Sequence, residues 1–336
     1  MDSVTHLALG AAVGMAVMGR RTAVWKAALW GAAANTLPDL DVLTEHGDAI
    51  SNMVLHRGAT HSLFWLSLLS LPLGAAIARL HGEQALWRRW WLAIWLALVT
   101  HPLLDLMTVY GTRLALPFSD WPYAVGSIFI IDPLFTLPLL AGAGWALASR
   151  GGGRALQANA AGLLLAGAYL AWTVAAQAQV ERMARASLAV QGIAAEQLLV
   201  TPTAFNTVLW RVVALDGGRY HEGFYSLLDG GRAMHFDAFD RGSALAPALR
   251  GIAGVQQVAA FSKGFYKLHA EGDELFVTDL RMGQEPAYVF NFAVAERHSP
   301  VQPLARPEQR SESPELRAGL DWLWRRALGE ELAPPR

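Results

Sequence analysis

The stretch Leu55-His56-Arg57-Gly58-Ala59-Thr60-His61-Ser62 leads directly into Leu63-Phe64-Trp65-Leu66, the start of an apolar run that continues to Leu80. Two imidazoles, a guanidinium and two hydroxyls thus stand immediately before a run long enough to enter a bilayer. Ionisable groups beside lipid are costly and are functional candidates by default. The plain alternative is a polar loop in which Thr60 and Ser62 cap the following helix. The rest of the chain decides between the two.

Further apolar runs extend from Leu7 to Met18, Ala23 to Leu37, Trp90 to Met107, Ile128 to Ala148 and Ala158 to Ala178. At about 1.5 Å per residue the first two fall short of the roughly 30 Å of a hydrocarbon core, while the others and the Leu63 run reach it. The expected fold is a membrane all-α domain of about six apolar helices, the first two short, over residues 1–180. From Ser187 onward charges are evenly spread and the apolar residues come in short groups. Val208 to Leu215, Tyr220 to Leu228 and Arg232 to Phe239 read as strands joined at Asp216-Gly217-Gly218 and Asp229-Gly230-Gly231, where glycine supplies the positive φ of tight turns. A helix is expected from Leu245 to Ala260, strands over Phe265 to Ala270, Glu274 to Arg281 and Tyr288 to Ala295, and a closing helix from Pro314 to Leu328. Residues 187–336 are therefore expected to form a soluble antiparallel α+β domain.

A composition of 53% hydrophobic and 16% charged residues is more apolar than is usual for a soluble enzyme. The net charge of −1, with no basic block, argues against a nucleic-acid partner. The absence of cysteine excludes disulfides, thiolate metal sites and cysteine nucleophiles. No basic start precedes the first apolar run, so no cleaved signal peptide is expected. With six passes, Arg20, Arg21, Arg79, Arg88, Arg89, Arg150 and Arg154 fall on one face and only Arg57 and Arg113 on the other. The positive-inside rule assigns the first face to the cytoplasm. The second face, with the C-terminal domain, is expected on the periplasmic or extracellular side, although Arg182 and Arg185 after the last span argue the other way.

Chemistry-bearing residues sort to that second face. His6 begins the first run. Asp39 and Asp41, one residue apart in Pro38-Asp39-Leu40-Asp41, are able to share a hard ion or divide as ligand and base. His56 and His61 stand five apart, too far round a helix to share a face, so His56 belongs in the loop and His61 on the first turn of the next helix. Arg57 is placed to hold a carboxylate or an anionic substrate group. In Thr100-His101-Pro102-Leu103-Leu104-Asp105, His101 and Asp105 lie one helical turn apart, costly inside an apolar span unless partnered. A His-Asp hydrogen bond alone would satisfy that pair. Asp132, before Pro133, reads as a supporting partner or a helix cap. Nitrogen and carboxylate donors without sulfur suit a divalent ion: zinc first, with manganese or magnesium as alternatives, and one or two ions.

His6, Pro38-Asp39-Leu40-Asp41, His56 to Ser62, and His101-Pro102-Leu103-Leu104-Asp105 followed by Tyr110-Gly111-Thr112 together resemble the YdjM-like family of membrane-bound, metal-dependent hydrolases, in order and spacing, over roughly the first 180 residues. The resemblance implies a multi-spanning bacterial inner-membrane protein whose presumed ligands are His6, Asp39, Asp41, His56, His61, His101 and Asp105. It leaves the substrate undefined.

The reading that follows is hydrolysis of an ester or phosphoester in a lipid or lipid-linked envelope amphiphile by metal-activated water, with Asp39, Asp41 or Asp105 accepting the proton and Arg57 holding a phosphate. The metalloprotease pattern H-E-x-x-H is absent. Two alternatives are a metal-binding scaffold, which needs no open coordination position, and an ion transporter, which needs a polar route through the midplane. Protein partners are not indicated.

Overall fold

The structure is a computed structural model and describes residues 1–310 and 316–336. The chain divides into two compact units. The first comprises Met1–Leu43, Arg57–Val174 and Ala204–Asn206, and the second Thr44–His56, Ala175–Thr203 and Thr207–Arg336.

The first unit is helical. It contains α1 (Ser3–Met18) and α2 (Val24–Thr36), and the second unit then takes α3 (Ala49–Leu55). The first unit resumes with α4 (Leu63–Leu80), α5 (Trp87–Leu106), α6 (Pro133–Ala148) and the N-terminal part of α7 (Gly153–Val190). α1 and α2 meet at backbone distance because Gly10, Gly14 and Gly31 carry no side chains. A Cβ on Gly31 would lie 2.1 Å from Gly10 O, and one on Gly10 would lie 2.3 Å from Gly31 O. The core here is Ala12, Met15, Met18, Ala27, Trp90, Ala97 and Leu98, all fully buried.

Only two of the expected six runs form helices both long and apolar enough to cross a membrane among the described residues, Leu63–Leu80 and Gly153–Val190. The Ile128 run loses its first turn because Asp132 caps α6 and Pro133 occupies its first position, leaving Pro133–Ala148 as a shorter apolar helix. The Trp90 run is read into α5, where Arg88, Arg89, Asp105 and four tryptophans (Trp87, Trp90, Trp91 and Trp95) lower its hydropathy. α1 and α2 are short, as expected. Trp65, Leu68 and Leu71 on α4, Leu134, Leu137 and Trp145 on α6, and Leu164 and Leu165 on α7 are exposed. Large apolar side chains exposed along three helices are the kind of outward surface that lipid or a protein partner covers.

The chain returns repeatedly between two ends of this unit. At one end Arg20 Nε donates to Gly151 O at 3.4 Å, Arg89 Nη1 to Val17 O at 3.3 Å, and Lys26 Nζ reaches Glu83 Oε1 at 2.9 Å, which brings together the α1–α2, α4–α5 and α6–α7 turns. At the other end are His6, Asn35, His61 and His101.

The second unit holds two antiparallel sheets. One has the order β1-β2-β3-β4, formed by β1 (Gln197–Pro202), β2 (Leu209–Asp216), β3 (Arg219–Ser226) and β4 (Phe236–Asp240). After α8 (Ala246–Leu249) and α9 (Ala253–Phe261), the second sheet follows as β5 (Tyr266–Glu271), β6 (Glu274–Asp279), β7 (Asn291–Glu296) and β8 (Gln302–Gln309) in sequence order, and α10 (Leu316–Ala327) closes the chain. The Leu245–Ala260 helix is divided at Arg250–Ile252, and β4 begins later than the Arg232 run. Of the closing helix, Pro314 and Glu315 lie outside the described residues. β1 and β8 carry no clear sequence signal. β8 contains Pro303 and Pro307, tolerated because it is an edge strand with a free N–H side. Buried charge in this unit is paired: Arg211 Nε meets Glu222 Oε1 at 2.7 Å, and its other nitrogens reach Leu280 O at 2.8 Å and Tyr288 Oη at 3.1 Å.

Gly31→Ala should lower the melting temperature of detergent-solubilised protein by an amount corresponding to about 1–3 kcal/mol, the usual cost of overpacking. Gly144→Ala, where nothing lies within 4 Å of the added carbon, should be neutral or stabilising by up to ~1 kcal/mol through helix propensity. Equal melting shifts would contradict the close α1–α2 approach.

Candidate metal centre

Four donor atoms from three separate segments converge: Asp39 Oδ1, His61 Nε2, His101 Nε2 and Asp105 Oδ2, all within 4.8 Å of one another. Asp39 comes from the 3-10 turn Leu37–Leu43 that continues α2, His61 from the turn Ala59–His61 ahead of α4, and His101 and Asp105 from one face of α5. The edges are 3.0 Å for His61–His101, 3.3 Å for His101–Asp39, 3.5 Å for His61–Asp39, and 3.4 Å from Asp105 to each imidazole. A tetrahedral ion with bonds of about 2.0–2.2 Å separates its donors by about 3.3–3.6 Å.

The hydrogen bonds behind the donors aim lone pairs at this point. Asn35 Nδ2 donates to Ala97 O at 2.6 Å and to Thr100 Oγ1 at 3.1 Å, so its Oδ1 accepts from His6 Nδ1 at 3.0 Å. His6 Nδ1–H is therefore the donor in that bond, and Nε2 is turned towards Asp105 Oδ1, 3.3 Å away. A lone pair facing a carboxylate is repulsive unless a cation or a proton lies between them. His61 is set in the same way. Thr60 Oγ1 donates to Asp41 Oδ2 at 2.8 Å and accepts from His61 Nδ1 at 3.0 Å, which points Nε2 into the cluster. Ligating histidines characteristically anchor their far nitrogen in this manner.

Asp105 is the hub, with no exposed surface. The Met1 ammonium, His6 Nε2 and Arg57 Nε all stand against its carboxylate, Arg57 at 3.2 Å. Arg57 takes φ of +59°, donates Nη1 to Thr108 Oγ1 at 3.1 Å, and lies 4.9 Å from the centre of the Tyr110 ring. Even so, His6 Nε2 and Asp105 Oδ2 are buried without a hydrogen bond of good geometry among the described residues. Such orphaned atoms in a polar cluster call for an ion or a proton. Asp39 is the open edge, with 23% of its side chain exposed. Burial works against its charge, yet hydrogen bonds from His101 and His61 outweigh that and hold its carboxyl well below the usual carboxylate range. Burial also opposes protonation of His61, but Asp105 and Asp39 overcome it and raise the imidazole above its ordinary value. Both shifts express one demand for positive charge.

The other anticipated residues are placed as follows. His6 stacks on His101 with ring centres 3.8 Å apart and touches the hub from behind. Asp41 is not one of the four donors; its Oδ2 accepts from Thr60 and, at 3.0 Å, from the Arg57 backbone N–H. His56 ends α3, its N–H bonded to Asn52 O, and lies in the second unit; it is not one of the four donors above but is grouped with Asp39 and Asp41 as a second set that could hold an ion. His61 lies in the 3-10 turn, not in the first turn of α4, whose cap is Ser62. Asp132 caps α6, accepts from Leu134 and Phe135 N–H groups and takes the Tyr169 hydroxyl at 2.9 Å. Asn35 escaped the sequence reading. Its signal was available, since a single amide at the end of the apolar run Gly31-Ala32-Ala33-Ala34 demands a partner when buried.

The profile of the YdjM inner membrane protein family matches residues 1–180. The uncharacterized protein YfhP of Bacillus subtilis (strain 168) is 28% identical over 244 residues, covering 68% of this chain and 71% of that protein. No solved structure matches.

Asn35→Ala should weaken any divalent-metal retention roughly 10- to 100-fold by freeing the His6 ring, as loss of an outer partner does elsewhere. Competition with a chromophoric chelator on purified protein measures this. Unchanged affinity would remove Asn35 and His6 from the centre.

Proposed function

The chain belongs to the YdjM inner membrane protein family, and from that premise we propose that it is a multi-pass, membrane-embedded, metal-dependent hydrolase acting on an ester or phosphoester of a lipid or envelope amphiphile. The observation that carries this reading is the unequal burial of the four donors. His61, His101 and Asp105 are fully enclosed, whereas Asp39 sits at the mouth. Catalytic sites keep three protein ligands and an open position, while structural sites close all four. His61, His101 and Asp105 accordingly hold the ion, zinc by donor type with manganese or magnesium as alternatives. When bound, the ion supplies Lewis acidity, polarising the scissile group and acidifying water.

This chain's residues do the rest. Asp39, the partly exposed carboxylate at the mouth, accepts the proton released by the attacking water. Asp41 and Thr60 fix the His61 ring, and Asn35 fixes that of His6, whose Nε2 supports Asp105 or helps to hold a second ion. Arg57 is engaged with Asp105, Thr108 and Tyr110, so its part is to hold the ligand carboxylate rather than a substrate phosphate. Leu40, Val42 and Leu43, exposed in the turn that carries Asp39, offer apolar surface beside the mouth. An amphiphile approaching from the bilayer presents its head group to Asp39 with its chain on those residues. Under the positive-inside rule the mouth faces the periplasm or cell exterior.

In a scaffold all four donors would ligate, and Asp39 would have no separate role. Asp39→Asn separates the two readings. For a hydrolase it retains the metal and lowers turnover of a phospholipid or phosphoester substrate by roughly 10²- to 10⁴-fold, while His61→Ala and Asp105→Ala lose metal and turnover together. Loss of metal in Asp39→Asn would favour the scaffold.

A further inference from the structure

The end of the first unit opposite the metal centre carries a charge imbalance that the hydrolytic reading does not use. Its turns and adjoining helix ends contain Arg20, Arg21, Arg79, Arg88, Arg89, Arg150 and Arg154, all exposed. Among the described residues the lone acid there is Glu83, already taken by Lys26 at 2.9 Å, by Thr22 Oγ1 at 2.8 Å and by the Trp90 indole N–H at 2.8 Å. None of the seven arginines enters an ion pair among the described residues.

Between the α1–α2 and α6–α7 turns lies a groove of about 320 Å³, lined by Gly19, Arg20, Thr22, Arg150, Gly151 and Gly152 among others. Two features keep it open. The α6–α7 turn is left-handed at Arg150 and Gly151, with φ of +50° and +77°, and Gly151 and Gly152 add no side chains. Arg20 is held at the rim by its bond to Gly151 O, which uses Nε and leaves the terminal nitrogens available. The volume sits at the lower end of small-molecule sites, about 300–1,000 Å³, and suits a head group rather than a whole lipid.

We propose that this groove seats the phosphate of an anionic phospholipid head group, with Arg20 and Arg150 as its charged walls. Guanidinium groups match phosphate oxygens in paired, planar contacts. The surroundings favour a lipid over free phosphate. Trp145 and Leu147 precede the α6–α7 turn on α6, Trp25 follows the α1–α2 turn on α2, and all three are exposed. Acyl chains leaving the groove would meet apolar surface and indole rings of the kind enriched at membrane interfaces. The proposal does not depend on hydrolysis, because the groove and the metal centre lie at opposite ends of α1.

The test is native mass spectrometry of the full chain released from nanodiscs containing equal phosphatidylglycerol and phosphatidylcholine, with metal content measured on the same samples. Wild type should retain phosphatidylglycerol in preference to phosphatidylcholine. Arg20→Gln/Arg150→Gln should lose roughly tenfold or more of that retention, two arginines' share of attraction to an anionic lipid, with metal content unchanged. Arg250→Gln/Arg297→Gln, exposed in the second unit, should behave as wild type. If the double variant fails to accumulate, Arg150→Glu alone, whose parent side chain makes no hydrogen bond among the described residues, is read in the same way. Equal retention in the groove variant and wild type would overturn the proposal, as would no preference between the two lipids. Displacement of the lipid by millimolar inorganic phosphate would also overturn it, by showing that the groove reads phosphate alone.

Discussion

A carboxylate without water sets the terms for the first unit. Asp105 is fully enclosed, and an isolated charge in such a place costs several kcal/mol unless cations and hydrogen bonds surround it. The chain answers from every side, with the Met1 ammonium and His6 from the start of the chain, Arg57 and His61 from the segment before α4, and His101 from the preceding turn of α5. Even so, His6 Nε2 and Asp105 Oδ2 remain buried without a hydrogen bond among the described residues. Those unmet atoms make the cluster a candidate to hold a metal ion.

The helices serve this requirement through their packing. Gly10, Gly14 and Gly31 let α1 and α2 approach closely enough for Asn35 to reach both His6 and the α5 backbone. One amide thereby ties three helices and sets the tautomer of a histidine. The Thr60 hydroxyl between His61 and Asp41 does the same in the loop. Residues that touch no ion thus decide which ring nitrogens can bind one, and the ionisable face of the bundle is separated from the arginine-rich face by the length of α1.

The second unit is built on its sheets rather than on a buried charge cluster. Its two four-stranded sheets bury apolar residues such as Trp210, Val212, Phe276 and Phe292, and the charges within them are paired, as with Arg211 and Glu222. The segment Thr44–His56 belongs to this unit by its packing, with Ile50 and Met53 buried there, although it separates Asp41 from Arg57 in the chain.

What the sequence determined by itself was local. The four-residue spacing of His101 and Asp105 put them on one face of α5, the glycine pairs after Asp216 and Asp229 marked the turns, and the apolar runs marked helices, because each depends on periodicity or backbone freedom within a few residues. The family was legible in the same motifs, since order and spacing survive in a linear string. The number of membrane-length helices was not, because caps such as Asp132-Pro133 and charges inside the runs set the true lengths. Nor were β8, admitted by its edge position despite two prolines, or the roles of Asn35, Asp41 and His56. Those depended on which segments fold back on one another. Three stretches with no common periodicity supply Asp39, His61 and the His101–Asp105 pair, and only the packing of α2, α4 and α5 brings their donor atoms to ion-sized separations.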